Sequence, residues 1–297
     1  MPIRVGQRIS QLVIREIISR GGQSTVVRAV PKTGKGAEVA LKIAHPDIPG
    51  DPYFSQMLRN EVEILRHLDI PGVVRILPMT WERRPTYVAV ALELHGSPSY
   101  YAMELLGGKS LRVLLRKKGR ESAPETALIA NRVASILDRL HENRMAHNDI
   151  KSDNVVFRRP IEKDIPPEPV LVDFGTATSL RRRDFDAATY FYTSPEKLEV
   201  VCGVKPPEAI EDATKSDVWS LGVMLYEMLT GRFPFAGKHA EGILTSIRRR
   251  QIAAIRDRQL SVSKEFEDLV VYHCLALKPA ERPSARELAT SLGLFIH

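Results

Sequence analysis

Cysteine, long apolar runs and charge of one sign are all scarce in this sequence. Of its 297 residues only Cys202 and Cys274 are cysteine, far apart and in no CxxC pair. That excludes a disulfide framework or a zinc knuckle, and predicts a reducing, cytoplasmic compartment. No apolar stretch approaches the roughly 18 residues that a membrane helix requires, so no membrane segment is expected within this chain. The amino-terminal MPIRVGQRIS lacks the apolar core of a signal peptide. Lys plus Arg number 43 against 36 Asp plus Glu, a net +7. This excess suits an anionic ligand but is too diffuse to predict nucleic-acid binding. The densest basic runs, Arg181-Arg182-Arg183 and Arg248-Arg249-Arg250, read as solvated faces.

What is present is enough apolar residue, 43%, to bury a sizeable core. Residues 9–45 alternate β-branched runs with turns: LVIREII, then SRGGQS, TVVRAV, PKTGKG and EVALKIA. The spacing predicts an antiparallel meander. A helix is predicted over about 52–68, with Asp51 as its cap and Pro52 in its first turn. Phe54, Met57, Leu58, Leu65 and Leu68 make its apolar stripe, and Glu61 lies on that stripe while Glu63 faces water. Two further strand-like runs, TYVAVALEL and YYAMELL, precede Gly107-Gly108. Beyond them the pattern is helical. PETALIANRVASILDRLHEN is amphipathic, SDVWSLGVMLYEMLTG is apolar all round, and FEDLVVYHCLALKP and SARELATSLG are helical too. Strands first and helices afterwards predict an α+β fold of two lobes, 1–106 and 107–297, with a joint near 104–108. The Pro-rich piece 158–169 reads as a loop between two short strands, and 205–215 as an irregular insertion.

Several polar residues are hard to explain by packing. Lys42 stands mid-strand in VALKIA, where a strand-edge lysine facing water is the simpler account. Glu61, a carboxylate on a core-facing stripe, needs a partner. The two satisfy each other, and such a pair positions an ammonium better than it stabilises a fold. Gly21 and Gly22, between two strands, let backbone N–H groups approach a phosphate, although any hairpin favours glycine. In VLVDFGTAT an aspartate, Asp173, ends a strand before Gly175, as a cation ligand or a plain turn would. In HNDIKSDNVVF, Asp149, Lys151 and Asn154 precede a strand. If Asp173 holds Mg²⁺, Asn154 adds a neutral oxygen to the same hard cation. Asp149 then accepts a hydroxyl proton and Lys151 neutralises a transferring phosphoryl group.

In this order and over about 10–292, these motifs resemble the eukaryotic-type serine/threonine protein kinases. The resemblance implies a bilobal fold, a small antiparallel β lobe with one helix and a larger helical lobe. It implies ATP and Mg²⁺ (or Mn²⁺) bound between the lobes. ISRGGQSTV resembles the glycine-rich loop, and VALK the strand lysine for the α- and β-phosphates, with Glu61 its partner. HNDIKSDN resembles the catalytic loop, with Asp149 the base and Asn154 on a metal, and DFG at 173–175 the metal-binding turn. YTSPE resembles the end of the activation segment. SDVWSLG resembles the buried helix that anchors the catalytic loop through Asp217, and ERP supplies Arg282 for Glu196. By the same alignment Val26, Ala40 and Val156 enclose adenine, Glu104 and Leu106 meet its edge, and Met103 closes the back. His147, Phe174 and Leu65 are implied to be internal packing.

DIK is the serine/threonine form of the loop, and Thr189 matches the threonine that ties the peptide-docking segment to Lys151 and Asp149. A protein Ser or Thr hydroxyl is therefore the implied acceptor. A non-catalytic binding module and a small-molecule kinase are the alternatives. Two departures bear on these. Ser19 and Ser24 replace loop glycines, which puts nucleotide affinity in question. Asn148 replaces the arginine that in the family grips an activation-loop phosphate, so activity is expected without loop phosphorylation. Thr176, Thr178 and Ser179 are noted as modification candidates.

Overall fold

The computed structural model describes residues 2–49, 51–162, 164–177 and 189–297, with Thr189 by its backbone only. Contacts divide the chain into one unit of 1–69 and 73–106 and a second of 70–72 and 107–297. Ile70–Gly72, expected with the first lobe, packs with the second. Gly72 carbonyl accepts from Leu171 N at 2.7 Å, and a Cβ at Gly72 would lie 2.4 Å from Ile136.

The first unit is an antiparallel sheet with one helix. Its elements are β1 (Arg8–Ile9), β2 (Leu12–Arg20), β3 (Ser24–Pro31), β4 (Val39–Ala44), α1 (Tyr53–Leu65), β5 (Ile76–Leu77), β6 (Ala89–Val90) and β7 (Ser99–Met103). The sheet order is β1-β2-β3-β4-β7-β5, with β6 also on β7. Strand alternation gives the sheet two faces. Ile14, Val27, Ala29, Val39, Leu41, Ile43, Tyr100 and Ala102 join one buried cluster with Met79, Ala91 and Leu94. The other face carries Val26, Ala40, Lys42 and Met103, because Val26 pairs with Lys42 and Ala40 with Met103. TYVAVALEL yields only the two residues of β6, since the chain turns at residues 92–97. The helix is shorter than its apolar stripe, and its cap differs from expectation. Pro52 holds the cap position without a side-chain bond, and Asp47 Oδ1 accepts from Ser55 N at 3.0 Å instead. A proline at that position offers no oxygen to the first turn, so a carboxylate from the preceding loop does the work.

The second unit is helical, with one two-stranded sheet. Its elements are α2 (Leu111–Lys118), α3 (Ala123–Glu142), β8 (Val155–Phe157), β9 (Pro169–Leu171), α4 (Pro195–Val201), α5 (Ala213–Thr230), α6 (Ala240–Arg248), α7 (Lys264–Asp268) and α8 (Ala285–Gly293). α3 begins in a full capping box, Ser122 with Glu125. α5 is buried at every residue from Ser216 to Thr230, as an all-apolar helix requires. It ends at Gly231, whose φ of +69° favours glycine and whose Cβ would meet Gly119 O at 2.5 Å. The expected single helix at FEDLVVYHCLALKP is α7 followed by a π-helical turn, Leu269–Cys274. The second basic run is not wholly a solvated face. Arg250 donates to the carbonyls of Leu275 and Val271 at 2.5 and 2.9 Å, satisfying the end of that turn. Among the described residues no helix is long and apolar enough to cross a membrane.

Candidate active site

In the first unit, Lys42 Nζ donates to both carboxylate oxygens of Glu61, at 2.8 and 2.7 Å. The lysine side chain is 11% exposed and the glutamate 2%. β4 delivers the ammonium to the face shared with Val26, Ala40 and Met103, and the third turn of α1 delivers the acid. Glu63, two residues on, is exposed as expected. Glu104 N donates to Arg75 O at 2.9 Å, and its carboxylate accepts from Arg75 N at 3.0 Å, which fixes the strand exit that runs to Leu106.

The β2–β3 turn explains its glycines by exclusion. Gly21 N donates to Ser24 O at 2.9 Å, closing the turn. Neither Gly21 nor Gly22 has a positive φ; a Cβ on Gly21 would lie an ordinary 3.6 Å from Ser24 O, and one on Gly22 would meet nothing. The fold does not demand glycine at either position, and both leave the backbone of the turn uncovered by a side chain. Ser19 and Ser24 are strand residues, paired with Val26 and Ala44. Their narrower backbone range costs the fold nothing there.

In the second unit, the segment before β8 is tied down through Asp217 of α5. Asp217 Oδ2 accepts from His147 N at 2.8 Å, and Oδ1 from Asn148 N at 2.8 Å. His141 Nε2 lies 3.0 Å from Oδ2. Burial raises the pKa of this carboxyl, but the His141 hydrogen bond and the charge of Lys197 outweigh it and leave it lowered. His147 is fully buried. Its Nδ1 accepts from Asp149 N at 3.3 Å and Nε2 donates to Val172 O at 3.2 Å, the pattern of a neutral ring. Burial lowers its pKa against the charges of Asp217, Asp149 and Asp173. The ring packs on Phe174 at 4.6 Å, and Leu65 is buried in the first unit.

Asp149 is 8% exposed and makes the centre of this site. Its Oδ2 accepts from Lys151 Nζ at 2.9 Å and from Asn154 Nδ2 at 3.0 Å. Asn154 Nδ2 also donates to Asp149 O at 2.9 Å. Both amide protons therefore point at Asp149, which leaves Oδ1 as the atom a cation would meet. Burial lowers the pKa of Lys151, and the Asp149 carboxylate more than reverses this, so it is raised. Val172 N donates to Asn154 O at 3.0 Å, which sets β9 and Asp173 beside the Asn154 segment. Asp173 holds φ +65°, a strained value for a non-glycine residue and of the kind concentrated at functional sites. One carboxylate and one amide oxygen would suit a hard cation such as magnesium that takes its remaining ligands from phosphate and water. Among the described residues no cluster of three or more His, Cys, Asp or Glu offers an alternative metal site. Val156 lies in β8, half-buried.

Two networks tie the helices of this unit together; the first also braces this segment, and the sequence reading missed it. Ser152 Oγ lies 2.9 Å from Tyr192 Oη, which donates to Glu227, and Arg112 reaches Tyr192 Oη at 2.7 Å, Asp153 at 3.1 Å and Glu227. Glu227 was legible by the argument used for Glu61, as a buried carboxylate that, after Asp217, is the second acid in an otherwise largely apolar helix. Burial raises its pKa against the lowering bonds of Tyr192 and Arg112. The second network is the expected pair Arg282 and Glu196, bidentate at 2.7 and 2.8 Å. Burial raises the Glu196 pKa, but the Arg282 hydrogen bonds and charge win and hold it at about 2. A carboxyl depressed in the folded state stabilises fully above its unfolded value of about 4.3, and loses that contribution as pH falls toward 2. Glu196→Gln is therefore expected to flatten the fall of the unfolding free energy between about pH 4.5 and 2, measured by urea melts. An unchanged slope would show that the ion pair carries no linked protons.

Thr176 is 3% exposed, with its hydroxyl 3.4 Å from His147 O, so it is no candidate for modification in this fold. Thr178, Ser179, the run Arg181-Arg182-Arg183 and the side chain of Thr189 lie outside the described residues.

The protein kinase domain family model matches residues 12–292. The chain is 28% identical over 308 residues to serine/threonine-protein kinase PkaA of Streptomyces coelicolor, covering 97% of this chain and 51% of that protein. It is 27% identical over 273 residues to serine/threonine-protein kinase PrkC of Bacillus subtilis, covering 90% and 38%. The chain thus spans about half of the first relative's length and less of the second's. Rad53 1-466, crystallised with AMP-PNP, matches with a TM-score of 0.70 at 22% identity, over 97% of this chain and 66% of that one. This chain belongs to the protein kinase domain family.

Proposed function

We propose that the chain transfers the γ-phosphoryl group of ATP to serine or threonine hydroxyls of protein substrates. The observation that carries this is Asp149, buried and fixed by Lys151 at 2.9 Å and Asn154 at 3.0 Å. A hydroxyl oxygen attacks the γ-phosphorus, the bond to the β-phosphate oxygen breaks, and the hydroxyl proton passes to Asp149. Lys151, its positive charge reinforced by Asp149, stabilises the charge on the phosphoryl oxygens. Lys42, oriented by Glu61, holds the α- and β-phosphates, and the Gly21-Gly22 turn offers them backbone N–H groups. Val26, Ala40, Met103 and Val156 pack on adenine, and the backbone at Glu104 and Leu106 meets its edge. Asp173 and Asn154 Oδ1 would hold a magnesium ion, which would supply neutralisation of phosphate charge. The two free cysteines, Cys202 and Cys274, fit a reducing cytoplasmic compartment.

Incubation with γ-labelled ATP and a generic basic protein tests this directly. Label in the protein is expected for the wild type and not for Asp149→Asn. Nucleotide uptake without transfer would make the chain a binding module instead, and preferential labelling of a metabolite panel a small-molecule kinase. Gly22→Ala separates the nucleotide role of the turn from its folding role. Open space around Gly22 predicts an unchanged thermal midpoint, with the KM for ATP raised about tenfold by a methyl group in the path of a phosphate. An unchanged KM would remove that turn from the site.

A further inference from the structure

α4 buries a lysine. Lys197 is 8% exposed, and among the described residues its ammonium meets no carboxylate; its hydrogen bond goes to Asn148 Oδ1 at 2.9 Å. The acids nearby are taken, Glu196 by Arg282 and Asp217 by His141 and the N–H groups of His147 and Asn148. Burial lowers the Lys197 pKa against the charges of Asp217, Glu196 and Asp149. An ammonium buried against a neutral amide is costly, and a methionine of similar length would fill the space without that cost. The lysine is better explained by what it holds than by what it stabilises.

What it holds is Asn148. With Oδ1 accepting from Lys197, the amide nitrogen faces the carbonyls of Thr176 and Ala177, each at 3.2 Å, and that of Ala146 at 3.5 Å. A flipped amide would set its NH2 against the ammonium and its oxygen against those carbonyls, so Lys197 decides which way it points. Asn148 stands at φ +67°, a region asparagine enters more readily than most residues. Its chain neighbour is Asp149. Thr176 and Ala177 directly follow Asp173-Phe174-Gly175. One amide therefore joins the segment bearing the base to the segment bearing the metal-binding aspartate.

We propose that Lys197 is a positioning residue, acting through Asn148 to hold residues 173–177 in their working conformation without a phosphate on the chain. The proposal rests on the phosphotransfer reading above. Lys197→Met and Asn148→Gly, the second keeping the left-handed backbone unstrained, are each expected to lower kcat about tenfold, the worth of one strong hydrogen bond. The double variant is expected to fall no further than the worse single, because the two residues act in series. Amide hydrogen exchange in peptides covering 172–177 is expected to rise in both single variants. The thermal midpoint of Lys197→Met is expected to hold or rise, and phosphatase-treated wild type to keep its rate. Wild-type rate and exchange in Lys197→Met, additive losses in the double variant, or a phosphatase-sensitive wild type would each overturn the proposal. Should Lys197→Met fail to fold, the rate and exchange of Asn148→Gly decide the matter. An inactive wild type would overturn the phosphotransfer reading itself, while the exchange comparison would still test the tie.

Discussion

Asp149→Asn is expected to reduce kcat for phosphoryl transfer by about 10²–10⁴-fold, the usual contribution of a positioned base, while nucleotide binding stays within a few-fold. Asparagine keeps the size of the side chain and one oxygen for Lys151 and Asn154, so the local geometry survives. What is lost, on the proposed reaction, is the group that takes the hydroxyl proton. Steady-state kinetics together with calorimetric titration of nucleotide separate the two effects. A matched loss of binding and rate would mean that Asp149 matters for structure. An unchanged rate would mean that alignment and charge alone carry the reaction, leaving Asp149 no part in proton transfer.

Arg282→Ala is expected to cost about 3–5 kcal/mol of stability, the usual penalty for breaking a buried ion pair from one side. Its side chain is wholly buried. Besides Glu196, its guanidinium donates to the carbonyls of Ala276, Lys215 and Leu277 at 2.9, 3.0 and 3.2 Å. It also lies 5.0 Å from the Trp219 ring centre. Truncation removes all of these at once and leaves the Glu196 carboxylate with Ser216 as its remaining side-chain donor, at 2.7 Å. Against a total of about 5–15 kcal/mol for a folded protein, that is a large fraction. Differential scanning calorimetry should record a midpoint lower by on the order of 10 °C. A shift under about 2 °C would show that the helices around Arg282 relax without it.

The strands of the first unit and the Lys42–Glu61 pair were legible for local reasons. Alternation placed Lys42 on one face, and a helical stripe placed Glu61 inward. Each charge was out of place alone and explicable with the other. The same reasoning read Asp149 and Asn154, which lie five residues apart and bond within one loop. It overextended α1 and β6, because an apolar stripe does not report where capping oxygens and turns fall. It named the Arg282 pair only through the family resemblance, since 86 residues separate the partners. It passed over Lys197 altogether. Nothing local distinguishes a lysine after Pro-Glu from a surface lysine, and its partner Asn148 lies 49 residues away. Asn148 was read by what it lacks, a charge to grip phosphate. Its positive contribution, an amide donating to the carbonyls 28 and 29 residues on, emerges only from the folded chain.

The most direct measurement is phosphoamino-acid analysis of a protein substrate after incubation with the chain, ATP and magnesium. New phosphoserine or phosphothreonine, lost on Asp149→Asn, is the predicted result. Nucleotide bound with magnesium but no phosphate on any protein hydroxyl would contradict the assignment.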